Sequence, residues 1–362
     1  MNKVWLNEPS LKDDSYAEHG EHTLDWLSRS TLPRAKQMRS FLNHNLSELP
    51  QNFADKLKQD LKNRWRTAFF ELILGRLLQE IGLKFKHEKS LINGKKPDFL
   101  IKTSIGEIVL EATSPIINSV IGEFYKKANP LIEIIKEYAQ ENWIVNINNL
   151  PDIGLNDSKR PFKSFIKREF SKIQPIDTHD EISINKRFPD GKLELSLMFK
   201  PNYRNKIGIF PAVGYAENSK YRIEHIIDEK RTQLRKIEQP VILAIQGSST
   251  GTDLNDFDQV LFGHTYEKMN RNFEVIETGF KPDGKFVSEN KEPTYQAILA
   301  FEEVGFRSVK IPTMYLHKQA NPILKEIFNF FPVRIYDESE NLIKEIQPKR
   351  HINLDNFKFV TA

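Results

Sequence analysis

At 362 residues and 39% hydrophobic content, the chain can bury a substantial core in one large or two modest domains, which excludes a disordered tail. Net charge of +4 and a pI near 8.8 are too mild to point to nucleic acid unaided. Zero cysteines exclude disulfides and thiolate zinc sites, leaving oxygen ligands for a hard cation. No apolar run is long enough to span a bilayer, and Met1-Asn2-Lys3-Val4-Trp5-Leu6-Asn7 lacks a signal peptide's long apolar stretch, so a cytoplasmic protein with no membrane partner is expected.

Residues 1–60 read as polar, helix-leaning segments, with Ser30-Thr31-Leu32-Pro33 as a helix start and Leu49-Pro50 as a later break. His19 and His22 are the one close histidine pair; flanking a glycine near the N-terminus, they are not expected to hold a metal. From Trp65 to Gly82, Phe70, Leu74, Leu77, Leu78 and Ile81 recur at helical spacing and mark a buried stripe. Glu71 falls at the edge of that stripe. Gly75 beside it is expected to leave open space through which the carboxylate reaches over a sheet edge; an ordinary boundary glutamate is the alternative. A strand is expected at Leu83–Glu88.

The next segment carries the chemistry. Lys96-Pro97-Asp98-Phe99-Leu100 and Val109-Leu110-Glu111-Ala112-Thr113 alternate as strands, joined by a tight turn at Thr103–Gly106. That turn makes Asp98 and Glu111 direct cross-strand partners with Cβ atoms about 5 Å apart; a slip by one pair would set Asp98 opposite Thr113. In either register Asp98, Leu100 and Lys102 share a face with Val109, Glu111 and Thr113. Like charges directly opposite destabilise a sheet unless a cation sits between them, so the pair predicts a divalent metal. Taken singly, each acid would read as a turn or surface carboxylate.

An insertion is expected over about 114–206, with a helix at Ile121–Trp143 bent at Pro130. Residues 156–206 hold 12 Lys and Arg against 7 Asp and Glu, so this segment carries the chain's positive excess. Within it Phe162, Phe165, Ile166, Phe170 and Ile173 form an apolar stripe, while Lys163, Lys167, Arg168 and Lys172 are candidate phosphate contacts on a helix that could equally be a plain surface helix. A helix at Tyr221–Ile237 and a buried strand at Pro240–Gln246 follow. Gly247-Ser248-Ser249-Thr250-Gly251-Thr252 is most simply a turn, and no P-loop, dinucleotide-binding or nucleophile-elbow motif occurs. Runs at Tyr295–Phe301 and Lys310–His317 suggest that the sheet is extended.

Helix with Glu71, strand, Pro97-Asp98, then Glu111-Ala112-Thr113 resembles the core of the PD-(D/E)XK nuclease superfamily. Ala68-Phe69-Phe70-Glu71-Leu72, Lys96-Pro97-Asp98-Phe99-Leu100, Leu110-Glu111-Ala112 and Leu261-Phe262-Gly263 are similar to an uncharacterised bacterial subgroup of it, over about Asp25 to Pro322. The resemblance implies an α/β fold with a restriction-endonuclease-like mixed sheet flanked by helices: a helical N-terminal region at 1–60, a core at 61–265 interrupted by the insertion, and an α/β extension at 266–362. It further implies a metal-dependent DNA endonuclease of restriction, phage defence or mobile-element processing. Asp98, Glu111 and the Ala112 carbonyl would then hold Mg²⁺ or Mn²⁺, and Glu71 would support a second ion or a water. DNA is the implied partner, with a homodimer or a defence-system protein as a further one. The superfamily's lysine would fall at Thr113, which cannot supply its charge. Lys230 is the candidate replacement, with Gln233 one turn on along the same face as a candidate nucleic-acid contact; Lys95 and Lys96 are nearer in sequence, and a solvated lysine is the alternative for all three. A catalytically inactive binding module with the same fold remains the second reading.

Overall fold

The structure is a computed structural model. It describes residues 4–360 except 12, 15–16, 18–20, 105, 115–118, 155–156, 174–180, 201–218, 248–251, 282 and 288–293, and leaves the side chains of 119–126 and 325 undescribed. His19, the turn residue Ile105 and most of the 247–252 loop lie outside the described residues. The chain divides into two compact units, one of 1–13, 23–115 and 217–362, the other of 14–22 and 116–216.

In chain order the elements are α1 (Thr23–Arg29), α2 (Pro33–Glu48), α3 (Gln51–Asn63), α4 (Trp65–Glu80), β1 (Lys84–His87), β2 (Phe99–Thr103), β3 (Gly106–Thr113), α5 (Ser119–Tyr138), β4 (Trp143–Asn149) and α6 (Arg160–Phe170). They continue with β5 (Ile182–Phe188), β6 (Gly191–Phe199), α7 (Ser219–Leu234), β7 (Val241–Gln246), α8 (Leu254–Leu261), β8 (Thr265–Met269), β9 (Val275–Phe280), β10 (Ala297–Phe301), β11 (Thr313–Leu316), β12 (Val333–Asp337) and β13 (Leu342–Ile346). Pro33 opens α2, where its missing N–H costs nothing, and Leu49-Pro50 separates α2 from α3.

Among the described residues the larger unit contains an eight-stranded mixed sheet ordered β1-β2-β3-β7-β10-β11-β12-β13. The β2–β3 hairpin is antiparallel, and β7 lies parallel to both β3 and β10. Val241-Ile242-Leu243-Ala244-Ile245 is buried throughout, as a strand covered on both faces must be. Phe99, Ile101, Ile108, Leu110 and Ala112 pack on the side of α1–α4, whereas Leu100, Val109, Leu243 and Ile245 pack with Ile223 and Ile227 of α7 and Phe257 of α8. The chain is thus α/β, with helices on both faces of a mixed sheet, and the runs at 295–301 and 310–317 do extend that sheet.

Gly75 corrects one expectation. A Cβ there would lie 2.5 Å from a ring carbon of Phe53, so the missing side chain admits a neighbouring helix and leaves no passage for Glu71. Gly75→Ala trades about 1 kcal/mol of helix propensity against about 1–3 kcal/mol of overpacking. The expected result is a lower denaturant midpoint, and an unchanged midpoint would show that Phe53 moves aside freely.

The smaller unit pairs β4-β6-β5 in an antiparallel sheet whose core is filled by α5 and α6. The helix expected to reach Trp143 stops at Tyr138: Asn142 takes a left-handed φ of 67° and Trp143 begins β4. No described helix is long and apolar enough to cross a membrane.

Candidate active site

The hairpin register decides the site. Phe99 pairs with Leu110, Leu100 with Val109 and Thr103 with Gly106, the register expected from the tight turn, and the Thr103 hydroxyl donates to the Gly106 carbonyl at 2.9 Å. One step beyond the ladder, Asp98 comes opposite Glu111 on the face that α7 covers. The two acids interlock through the backbone. The Ala112 N–H donates to Asp98 Oδ2 at 2.8 Å, and the Asp98 N–H to Glu111 Oε2 at 3.4 Å. Since N–H and C=O of one strand residue point to the same side, the Ala112 carbonyl also faces the place that β2 has vacated.

α7 closes the site from above. Lys230 Nζ lies 2.8 Å from Glu111 Oε1 and Gln233 Nε2 donates to the same oxygen at 3.2 Å, while Lys230 also donates to Gln233 Oε1 at 2.9 Å. Glu111 therefore divides its oxygens, Oε1 to the helix and Oε2 towards Asp98. Of the nearer lysines, Lys95 instead donates to the carbonyls of Gln233 and Arg235, capping the end of α7 and tying its loop to the helix that carries Lys230. A cavity of about 200 Å³ lies between these parts, lined by Lys95, Lys96, Pro97, Glu111 and Gln233 among others.

Glu71 enters from α4, and it is fully buried where an edge position was expected. His87 Nε2 lies 3.3 Å from its Oε2, and the imidazole lies tilted by 32° against the Phe53 ring, centroids 4.2 Å apart. Oε1 has no hydrogen-bond donor, although Arg64 Nη1 stands 3.1 Å away, poorly aligned. Arg64 donates with its other terminal nitrogen to Asp60 at 2.8 Å. Sequence reasoning missed Arg64 and His87. For His87 a signal existed: it alternates with Phe85 on the apolar face of β1, where an imidazole needs a partner.

Burial, then the charges of Glu111 and Glu71, push the Asp98 carboxyl well above its ordinary 3.8, against the Ala112 N–H and Lys230, which pull it down. Asp98 keeps some surface at the rim of the site but is packed on most sides, so desolvation leads. The raised value favours the folded state while the carboxyl holds its proton. That contribution is complete below the unfolded value near 3.8 and is lost as pH rises through the folded one. In chelator, Asp98→Asn keeps an acceptor for Ala112 and removes the loss, so its melting temperature relative to the parent should climb as pH rises above about 4. A constant difference across that range would mean Asp98 carries no trapped proton.

The donor set fits a hard divalent cation. Asp98, Glu111 and the Ala112 carbonyl offer oxygens only, Glu71 has an orphaned buried oxygen, and burial beside Glu111 and Glu71 holds the Asp98 carboxyl above its ordinary value. Among the described residues no group of three or more His, Asp or Glu side chains forms a ready-made metal cage. Such a site would thus depend on the backbone carbonyl and waters as well.

Lys163, Lys167, Arg168 and Lys172 belong to the smaller unit. Phe162, Ile166 and Phe170 of α6 are buried; Lys163 pairs with Glu137 at 2.9 Å, and Arg168 and Lys172 bracket Glu169 at 2.8 and 2.7 Å. Exposed pairs of this kind are weak and screened by salt, so they do not decide whether the face meets phosphates. If the face tracks phosphates, neutralising all four cations should flatten the salt dependence of DNA binding by about 0.9 in the log–log slope per lost contact. An unaltered slope would leave α6 as a surface helix held by its phenylalanines.

Compared with protein-family models, curated proteins and solved structures, the chain finds no match.

Proposed function

We propose that the chain is a divalent-metal-dependent nuclease of the restriction-endonuclease-like class, acting on phosphodiester bonds, with DNA as the favoured substrate. One observation carries the reading: two carboxylates interlock through the backbone at a hairpin end, and a lysine from a separate helix contacts one of them. A mixed sheet with an antiparallel hairpin beside a parallel central strand suits that class, although fold likeness is weaker warrant than the site.

In this reading Asp98, Glu111 Oε2 and the Ala112 carbonyl hold Mg²⁺ or Mn²⁺, which when bound supplies a water acidic enough to attack at neutral pH and neutralises charge on the phosphate. Glu71 orients a water or supports a further ion. Lys230, kept in place by Gln233 and Glu111, donates to the oxygen on which charge builds as water adds to phosphorus and the leaving oxygen departs. Lys95 and Gln233 position; they do not react. The deciding experiment is nicking of supercoiled plasmid in Mg²⁺ or Mn²⁺, alongside calorimetric metal titration. Metal binding that needs Asp98 and Glu111, with cleavage, supports the nuclease.

A second reading, a nucleic-acid-binding or interaction module without turnover, is favoured by one feature: Lys230 already neutralises Glu111 and Ala112 already satisfies Asp98. Metal binding without cleavage of DNA or RNA would select it.

A further inference from the structure

Arg64 sits where α3 ends and α4 begins, and its guanidinium acts on both Asp98 and Glu71. Its guanidinium is split between two acids. One terminal nitrogen donates to Asp60 and the other stands 3.1 Å from Glu71 Oε1, an oxygen that still lacks a well-aligned donor. The Arg64 side chain is 40% exposed and that of Glu71 0%, so Arg64 links the buried acids to the solvent. A purely structural counter-ion would be expected to satisfy the buried oxygen. This one is half-engaged, and a guanidinium's remaining donors form a planar fork suited to phosphate. The first turn of α4 has no acidic side chain and no side-chain cap, so the anions a phosphate would meet here are Asp60 and the site's own Glu71 and Asp98, whose charge a bound cation would offset.

We propose that Arg64 is a phosphate-binding residue of the site, held by Glu71 in the metal-free protein and turned to a substrate phosphate when a divalent cation takes over the charge of the acids. The inference rests on the nuclease reading and adds a substrate contact to it. The site then grips its phosphodiester from two sides, Lys230 above Glu111 and Arg64 beside Glu71.

The test is binding of a short labelled DNA duplex in Ca²⁺, with duplex integrity checked on a gel, and Mn²⁺ titration of the same proteins by calorimetry. Arg64→Ala should weaken duplex binding about tenfold or more, the size of a lost charge-assisted hydrogen bond, and reduce the log–log salt slope by about 0.9. Mn²⁺ binding should be equal or tighter, because a competing cation has gone. Arg64→Lys should restore the slope and only part of the affinity, since an ammonium keeps the charge but not the fork. Should Arg64→Ala fail to fold, Arg64→Lys and Arg64→Gln carry the comparison. A series of duplexes with single neutral methylphosphonates gives a readout independent of variant stability: at one position the substitution should erase the difference between parent and variant. Duplex affinity and salt slope unchanged, with metal binding intact, would overturn the role of Arg64 and leave the nuclease reading standing. Absence of metal binding in the parent protein would overturn both.

Discussion

Asp98→Asn and Glu111→Gln should each reduce divalent-dependent cleavage to background, a loss of at least about 10³-fold, because both charges are needed to hold the metal and charge its water. Calorimetric Mn²⁺ binding should fail in both. Their effects on metal-free stability should differ in sign, which separates a metal site from a structural ion cluster. Asp98→Asn removes the carboxyl whose ionisation the neighbours oppose while keeping an acceptor for the Ala112 N–H, so the chelated protein should melt at a higher temperature. Glu111→Gln strips Lys230 of its anion, and because Lys230 is only partly exposed, the chelated protein should be somewhat less stable. Saturating metal should place the parent above both variants: it gains about 2.7 kcal/mol at a hundredfold excess over Kd, and neither variant follows. Full cleavage by either variant would sink the assignment, and a large stability loss in chelated Asp98→Asn would make Asp98 a structural residue.

The parts of the site that sequence disclosed are those fixed by a local period. The alternation around Phe99 and Leu110, with one short turn, admits few registers, and the observed one sets Asp98 against Glu111. Lys230 and Gln233 share a helical face, so once α7 packs against the β3–β7 pair they reach Glu111 together. What stayed hidden depends on which distant element fills a space. Gly75 shows in the sequence that a side chain is absent, but not that Phe53 takes its place. Glu71 reads as a boundary residue on its own helix and becomes fully buried because β1 brings His87 and the α3–α4 junction brings Arg64 against it. β4 escaped notice because the residues before it favour a helix, and one left-handed residue, Asn142, turns the chain into a strand. Gly263 illustrates a legible residue with an illegible reason. It follows α8 at φ 122°, against the Lys281 carbonyl, where any Cβ would collide.

Lys230→Ala should lower the cleavage rate at saturating metal by roughly 10² to 10³, with duplex affinity nearly unchanged, since a group acting on charge that develops in the transition state affects turnover more than binding. The variant also has a structural consequence that must be read apart from the chemical one. Without Lys230, buried Glu111 keeps only Gln233 at Oε1 and the Asp98 N–H at Oε2, so the chelated protein should lose about 1–3 kcal/mol. Metal supplies the missing charge and should recover most of that loss, while the rate stays low. Stability and turnover thus respond to metal in opposite ways only if Lys230 has a chemical role. Lys230→Arg sharpens the comparison: the guanidinium preserves the charge beside Glu111 and hence the stability, but its planar fork cannot reproduce an ammonium placed 2.8 Å from Oε1 and braced by Gln233, so the rate should recover only in part. Turnover preserved in Lys230→Ala, with affinity lost, would reduce Lys230 to a contact with the nucleic-acid backbone. The charge missing at Thr113 would then fall to Arg64, which stands at the α3–α4 junction beside Glu71 and acts on Asp98.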